Sequence, residues 1–170
     1  PVTFTTVGQA SASYAATMIG NELLGLRARL ITGYRGTSEY VVAVVRGDGD
    51  ACLASLTALE QFRRGGLIRI IATFEDHASI AGAADATMLN LPELTDIVQL
   101  RLLAGPPKLP ASIAAALSDM LITALRDPGV QDWAKRNDAN LTPDGPEKTL
   151  QLLRQQARFV KTWSKYLLAS

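Results

Sequence analysis

The chain has 170 residues, room for one ordinary domain or for one domain and a piece of another, and 48% of them are hydrophobic, enough to bury a core. A formal net charge of +1 gives no electrostatic reason to expect nucleic acid or a strongly acidic partner. A single cysteine, Cys52, excludes an internal disulfide, and no run of about eighteen apolar residues exists to span a membrane.

β-branched and aromatic residues dominate Val2 to Val7 and predict a strand. Gly8 breaks the run, small residues follow from Ala10 to Ser13, and Tyr14, Met18, Ile19, Leu23 and Leu24 then recur at helical spacing. In a strand–loop–helix unit the first-turn amides of the helix lack intrahelical acceptors, and the positive end of its dipole faces the loop. Small residues let a ligand approach the backbone, and Ser11 and Ser13 add hydroxyls, so this loop is a candidate anion site. The same residues also describe an ordinary helix with a serine N-cap.

Gly25 fits a helix stop, and residues 27–32 read as a second strand. Gly33-Tyr34-Arg35-Gly36-Thr37-Ser38 makes a second strand-to-helix turn, and Tyr40, Val41, Val44 and Val45 mark a helix from Thr37 to Arg46. The turn Gly47-Asp48-Gly49-Asp50 leads to a short strand at 51–54, and Ser55–Arg64 reads as a third helix closed by Gly65-Gly66. Leu67 to Phe74, LIRIIATF, is a near-continuous apolar run that predicts a fourth strand over 67–73, suited to the middle of a parallel sheet. The order β-α-β-α-β-α-β with short connections predicts an α/β fold: a wound, mostly parallel sheet with helices on its faces.

Residues 75–97 are rich in Ala, Asp and Gly and weakly periodic, as a mobile surface segment or a crossover between lobes would be. Val98–Ala104 reads as one more strand, ended by Gly105-Pro106-Pro107. Pro110 stands where a first-turn proline is favoured, and the helix to residue 125 carries Ile113, Leu117, Met120, Leu121, Ala124 and Leu125 on one face. A turn at Asp127-Pro128-Gly129 and a short helix through Trp133 follow. Thr142-Pro143 is expected to start the last helix, with Leu150, Leu153, Ala157, Val160, Trp163 and Leu167 as its buried stripe and Arg154, Arg158 and Lys161 on its wet face. The two long helices need a surface to cover. The expected division is therefore an α/β ligand-binding lobe over 1–97 and a strand with helices over 98–170 that reach a further lobe, or a homodimer formed through those exposed C-terminal helices. A chain that opens directly in a strand, without a basic segment and apolar run before it, is expected to be a piece of a longer protein.

Catalytic patterns are absent. There is no G-x-G-x-x-G, no P-loop, and no G-x-S-x-G elbow to pair with His77, the single histidine. One His and one distant Cys do not make a metal-ligand cluster, so no metal, cofactor or catalytic residue is expected. Cys52 reads as a buried, inert thiol and His77 as a surface side chain.

Four stretches together resemble the substrate-binding proteins of tripartite tricarboxylate transporters, the Bug (TctC-like) family. They are Gly8-Gln9-Ala10-Ser11-Ala12-Ser13, Thr32-Gly33-Tyr34-Arg35-Gly36-Thr37-Ser38-Glu39, Arg64-Gly65-Gly66-Leu67-Ile68-Arg69, and Ala104-Gly105-Pro106-Pro107 through Arg126-Asp127-Pro128-Gly129-Val130. The resemblance implies a periplasmic-binding-protein-like lobe: the second lobe of a bilobal, extracytoplasmic protein, plus its C-terminal return. It also implies a small di- or tricarboxylate ligand and delivery to the membrane subunits of the transporter, with no enzymatic step. Backbone amides and hydroxyls of the strand-end loops would hold the ligand. On this chain those are Ala10, Ser11, Ala12 and Ser13 in the first loop, Tyr34, Arg35, Gly36 and Thr37 in the second, and Ser55 in the third. Many members carry an aspartate in the third loop where this chain has Ala54-Ser55, and Arg35 stands where lysine is frequent. The resemblance therefore implies a ligand class, not a ligand. An enzyme or nucleotide-binding module on a flavodoxin-like sheet, and a purely structural fragment, remain open beside it.

Overall fold

Three parallel strands carry the loops of interest, in the order β2–β1–β3. The computed structural model describes residues 1–9, 11–98, 100–137, 139, 141 and 143–167, apart from the side chains of Tyr166 and Leu167. β1 (Val2–Thr5) lies in the middle. It pairs along its length with β2 (Ala28–Ile31), and through Phe4 and Thr5 with β3 (Ala51–Cys52). By its contacts the chain falls into two units, residues 1–98 with 159–170, and residues 99–158.

In the first unit, α1 (Ala12–Leu23) carries the chain from β1 to β2, and α2 (Thr37–Arg46) carries it back past β1 to β3. Right-handed crossovers running in opposite directions place these helices on opposite faces of the sheet. The alternation at the end of β1 agrees. The Thr5 hydroxyl donates to the Tyr40 carbonyl of α2 at 2.8 Å, while that of Thr6 donates to Ser13 Oγ at the head of α1 at 3.3 Å. Thr5, Thr6, Thr17, Ile19, Tyr40 and Val41 are almost fully buried here. Burial of the three threonine hydroxyls is tolerated because each has a partner.

α1 stops as Gly25 predicts. The glycine adopts φ +63°, its amide returns to the Glu22 carbonyl, and the Leu26 amide returns to that of Asn21, the bond pair of a Schellman ending. α3 (Leu56–Arg64) begins at Ser55 and buries the Glu60 carboxylate between Arg63 and Arg64. Segment 67–98 packs on α1: a Cβ built on Gly20 would stand 3.1 Å from the Phe74 ring, so the absence of a side chain there admits the ring.

Several expectations are corrected. All three strands are shorter than read: the first ends at Thr5, the second spans Ala28–Ile31, and the third ends at Cys52. The fourth strand over 67–73 does not join the sheet. β3 offers β1 only two paired residues and no long outer ladder, and the backbone of 71–73 bonds locally instead. The Thr73 amide donates to the Ala84 carbonyl at 2.8 Å and the Ala84 amide to that of Ile71 at 3.0 Å, a single parallel bridge between Ala72 and Ala84. Leu67 and Ile71 are 56% and 62% exposed, so the apolar run is not the buried mid-sheet strand it resembles.

Residues 75–97 are tied down rather than loose. The buried Asp85 carboxylate accepts the amides of Ala78 and Met88, Glu75 accepts both the amide and the hydroxyl of Ser79, and the Thr87 hydroxyl donates to the Asp76 carbonyl. A 3-10 turn at Pro92–Asp96 buries Leu94. Among the described residues of 98–104 there is no strand, and Val98, Leu102 and Leu103 are exposed.

In the second unit, α4 (Ala111–Leu125) starts one residue after Pro110, which occupies the cap instead of the first turn. Asp127 caps α5 (Pro128–Arg136) by accepting the amides of Gly129 and Val130. α6 (Pro146–Thr162) starts at Pro146 rather than Pro143. Proline fits a first helical position, and both the amide and the hydroxyl of Thr149 return to the Gly145 carbonyl. The cap expected at Thr142 lies outside the described residues. The predicted stripe of α6 is corrected as well. Leu150, Leu153, Ala157 and Val160 are exposed, and the half-buried side chains of α6 are Thr149, Leu152, Gln156 and Phe159, followed by Trp163 just past its end. The buried side chain expected of Leu167 likewise lies outside the described residues. α7 (Ser164–Leu167) packs against α1 in the first unit. No helix among the described residues is long and apolar enough to cross a membrane.

Candidate functional site

Parallel strands send all three following loops to the same edge of the sheet. In an open α/β sheet a ligand crevice forms beyond the strand carboxyl ends, where neighbouring connections leave in opposite directions. With the order β2–β1–β3, that switch point lies between β1 and β3, at residues 6–13 and 53–55.

The first loop is built by hydroxyls. Ser11 is the N-cap of α1, with φ −98° and ψ 151°, and its Oγ accepts the Tyr14 amide at 3.2 Å. The Ser11 amide bonds back to the Gly8 carbonyl, which tightens the turn. Ser11 Oγ and Ser13 Oγ lie 3.1 Å apart, and Thr6 donates to Ser13. The hydroxyls of Thr6, Ser13 and Ser11 thus form one connected row at the positive end of α1. Ala12, the first helical residue, is exposed and presents no bulk. Ala10 lies outside the described residues.

The second loop turns on Glu39. Its carboxylate accepts the Arg35 amide at 2.6 Å and meets the Arg35 guanidinium at 3.4 Å. The amide bond above all, with the guanidinium beside it, holds the Glu39 pKa below the usual carboxylate value. The Arg35 side chain is otherwise 91% exposed. Gly36 is the N-cap of α2 in fully extended backbone, Thr37 opens the helix, and Tyr34 is half-buried. Residues 35–39 line an open depression of about 440 Å³.

The third loop is joined to the second through Tyr40. The phenol donates to the Leu53 carbonyl at 3.0 Å, and burial above all pushes its pKa up. Ser55 caps α3 by accepting the Ala58 amide at 3.4 Å, a long bond at an exposed position. Cys52 beside it is half-buried, and burial raises its thiol pKa to about 11, so it stays protonated and unreactive at neutral pH.

Of the predicted residues, Ser11 and Ser13 are brought together by direct contact, whereas Thr37 opens α2 and it is Tyr40 that reaches the third loop. Arg35 turns to Glu39 rather than to either serine. Three contributors were not singled out from sequence: Thr6, Glu39 and Tyr40. Glu39 carries a readable signal, an acid three residues after the Gly36 cap, the spacing of a capping box. Tyr40 reads as core, which it also is, and Thr6 reads as an ordinary strand residue.

A second open depression of about 420 Å³ lies in the other unit, lined by Arg126, Gln131, Leu141, Pro143 and Asp144. It lacks a row of hydroxyls, and the Gln131 amide group is engaged with the Leu125 carbonyl. Among the described residues, no three His, Cys, Asp or Glu side chains converge as a metal site would require. The chain matches no known family model and none of the curated proteins.

Proposed function

We propose that this chain is a periplasmic-binding-protein-like ligand-binding lobe that holds a small di- or tricarboxylate beyond the carboxyl ends of its parallel strands. The carrying observation is the hydroxyl row of Thr6, Ser13 and Ser11 at the head of α1, located at the topological switch point of the β2–β1–β3 sheet. Ser11, Ala12 and Ser13 would receive one carboxylate, with Ala10 in the same loop. Tyr34, Arg35, Gly36 and Thr37 would approach from the second loop and Ser55 from the third. The resemblance to tripartite tricarboxylate transporter binding proteins supplies the rest of the reading: an extracytoplasmic setting, a further lobe closing over the ligand, delivery to the membrane subunits, and no chemical step. A homodimer would use α4, whose Ile113, Leu117, Met120 and Leu121 are 48%, 43%, 69% and 40% exposed.

One observation favours a second reading. The order β2–β1–β3 is also that of the first three strands of a flavodoxin-like sheet, which suits an enzyme or a nucleotide-binding module. Thermal unfolding against a panel of dicarboxylates, tricarboxylates and nucleotides separates the two. A ligand present at 100 times its Kd stabilises the folded chain by about 2.7 kcal/mol. The proposal expects carboxylates to raise Tm and nucleotides to leave it unchanged; the reverse pattern selects the second reading.

A further inference from the structure

Helix α6 exposes an apolar strip beside a basic one. At 3.6 residues per turn, Leu150, Leu153, Ala157 and Val160 fall on one line, and Arg154, Arg158 and Lys161 on the line next to it. Leu150, Leu153 and Val160 are 49%, 41% and 48% exposed. Four basic residues, Lys148, Arg154, Arg158 and Lys161, stand against the one acid Glu147 within α6, in a chain whose total charge is only +1, so positive charge is concentrated on this helix.

We propose that α6 docks on an anionic lipid surface, lying in the plane of the headgroups. A helix of modest overall hydrophobicity, apolar along one strip and rich in Lys and Arg along its border, is the form that binds such an interface. No helix among the described residues can cross the bilayer, so the contact is peripheral. A second copy of the chain fits α6 poorly, because it would set the same basic residues against each other. A rigid acidic protein would bind best through a well-packed central anchor, for which large aromatic side chains are favoured, and Phe159 and Trp163 are turned away from the exposed strip. A fluid anionic surface needs no such fit. The apolar strip is thin, so charge supplies most of the attraction and binding falls with salt.

Co-sedimentation of the whole chain with phosphatidylcholine vesicles, with and without phosphatidylglycerol, tests this. The chain is expected to pellet only with the phosphatidylglycerol vesicles and to be released by salt. Each basic residue removed near the surface weakens binding about fivefold, so a chain carrying both Arg154→Gln and Lys161→Gln should bind about 25-fold more weakly. A chain carrying Leu150→Gln and Leu153→Gln should lose the part of binding that resists salt. All four positions are exposed, and circular dichroism of each variant verifies that it folds. The proposal is overturned if the wild-type chain ignores phosphatidylglycerol, if it binds both vesicle types equally, or if folded variants bind as the wild type does. It is also overturned if the wild-type chain leaves the vesicles for an acidic protein surface.

Discussion

The carboxylate of Glu39 receives the backbone amide of Arg35 at 2.6 Å, so a loop expected to greet a ligand carboxylate already contains one of its own. The folded pKa of Glu39 is lowered, so the stabilisation this contact provides is present above the ordinary carboxylate pKa and is lost as pH falls through the lowered value. In the Glu39→Gln variant the Arg35 amide should exchange its hydrogen faster by NMR, and a carboxylate probe such as citrate should bind more tightly because a competitor has gone. Unchanged protection of that amide would show that the contact does not hold the loop.

Tyr40 should matter through one oxygen. Tyr40→Phe keeps the buried ring and leaves the Leu53 carbonyl without its 3.0 Å donor. A loss of about 1–2 kcal/mol is expected in urea unfolding. A variant as stable as the wild type would mean that water replaces the phenol and that the second and third loops are not coupled through it.

Acid sensitivity should run through Glu60. Hydrogen bonds from Arg63 and Arg64 pull its pKa from 4.5 to about 2. The folded value lies below the unfolded one, so the contribution is full above 4.5 and disappears between 4.5 and about 2. Melting temperatures of wild type and Glu60→Gln measured against pH should differ at neutrality and converge as pH falls through that window. Parallel curves would contradict the assignment.

The hydroxyl row gives graded expectations. Ser11→Ala removes the cap on the Tyr14 amide and should destabilise the chain by about 1 kcal/mol, with a modest loss of carboxylate binding because the backbone amides remain. Ser13→Ala should weaken binding to a similar, modest degree. Ala12→Asp should abolish binding while leaving stability intact, since position 12 is exposed and an acid is favourable in a first helical turn. Calorimetric titration with citrate compares them, and equal affinity of wild type and Ala12→Asp would move the site elsewhere.

The alternation β1–α1–β2–α2–β3–α3 was legible because period and punctuation agree. Gly8 and the Ser11 and Ser55 caps fall where the pattern changes from extended to helical, and Gly25 and Gly47 where it changes back. LIRIIATF misleads because an apolar run specifies burial and extension but not a ladder partner, and β3 is too short to provide one. Residues 75–97 looked loose because their order comes from single bonds to Glu75, Asp76 and Asp85, which leave no periodic trace. The small residues and hydroxyls that line the candidate loops are legible in the sequence, because they fall at the strand ends. The cross-loop wiring is not, because the bond from Tyr40 to Leu53 spans 13 residues and follows from tertiary packing.

The short third strand has a consequence for handling the chain in solution. Ile68, Ile70, Ile71 and Thr73 give the eight-residue segment Leu67–Phe74 high β-propensity, with one charge and no proline, and among the described residues a single local bridge is its strand pairing. Such a segment is a template for pairing between molecules. Concentrated samples should therefore form cross-β aggregates that seed further growth. Ile71→Lys, at a site already 62% exposed, should suppress them without loss of folded structure, as thioflavin fluorescence and circular dichroism would record.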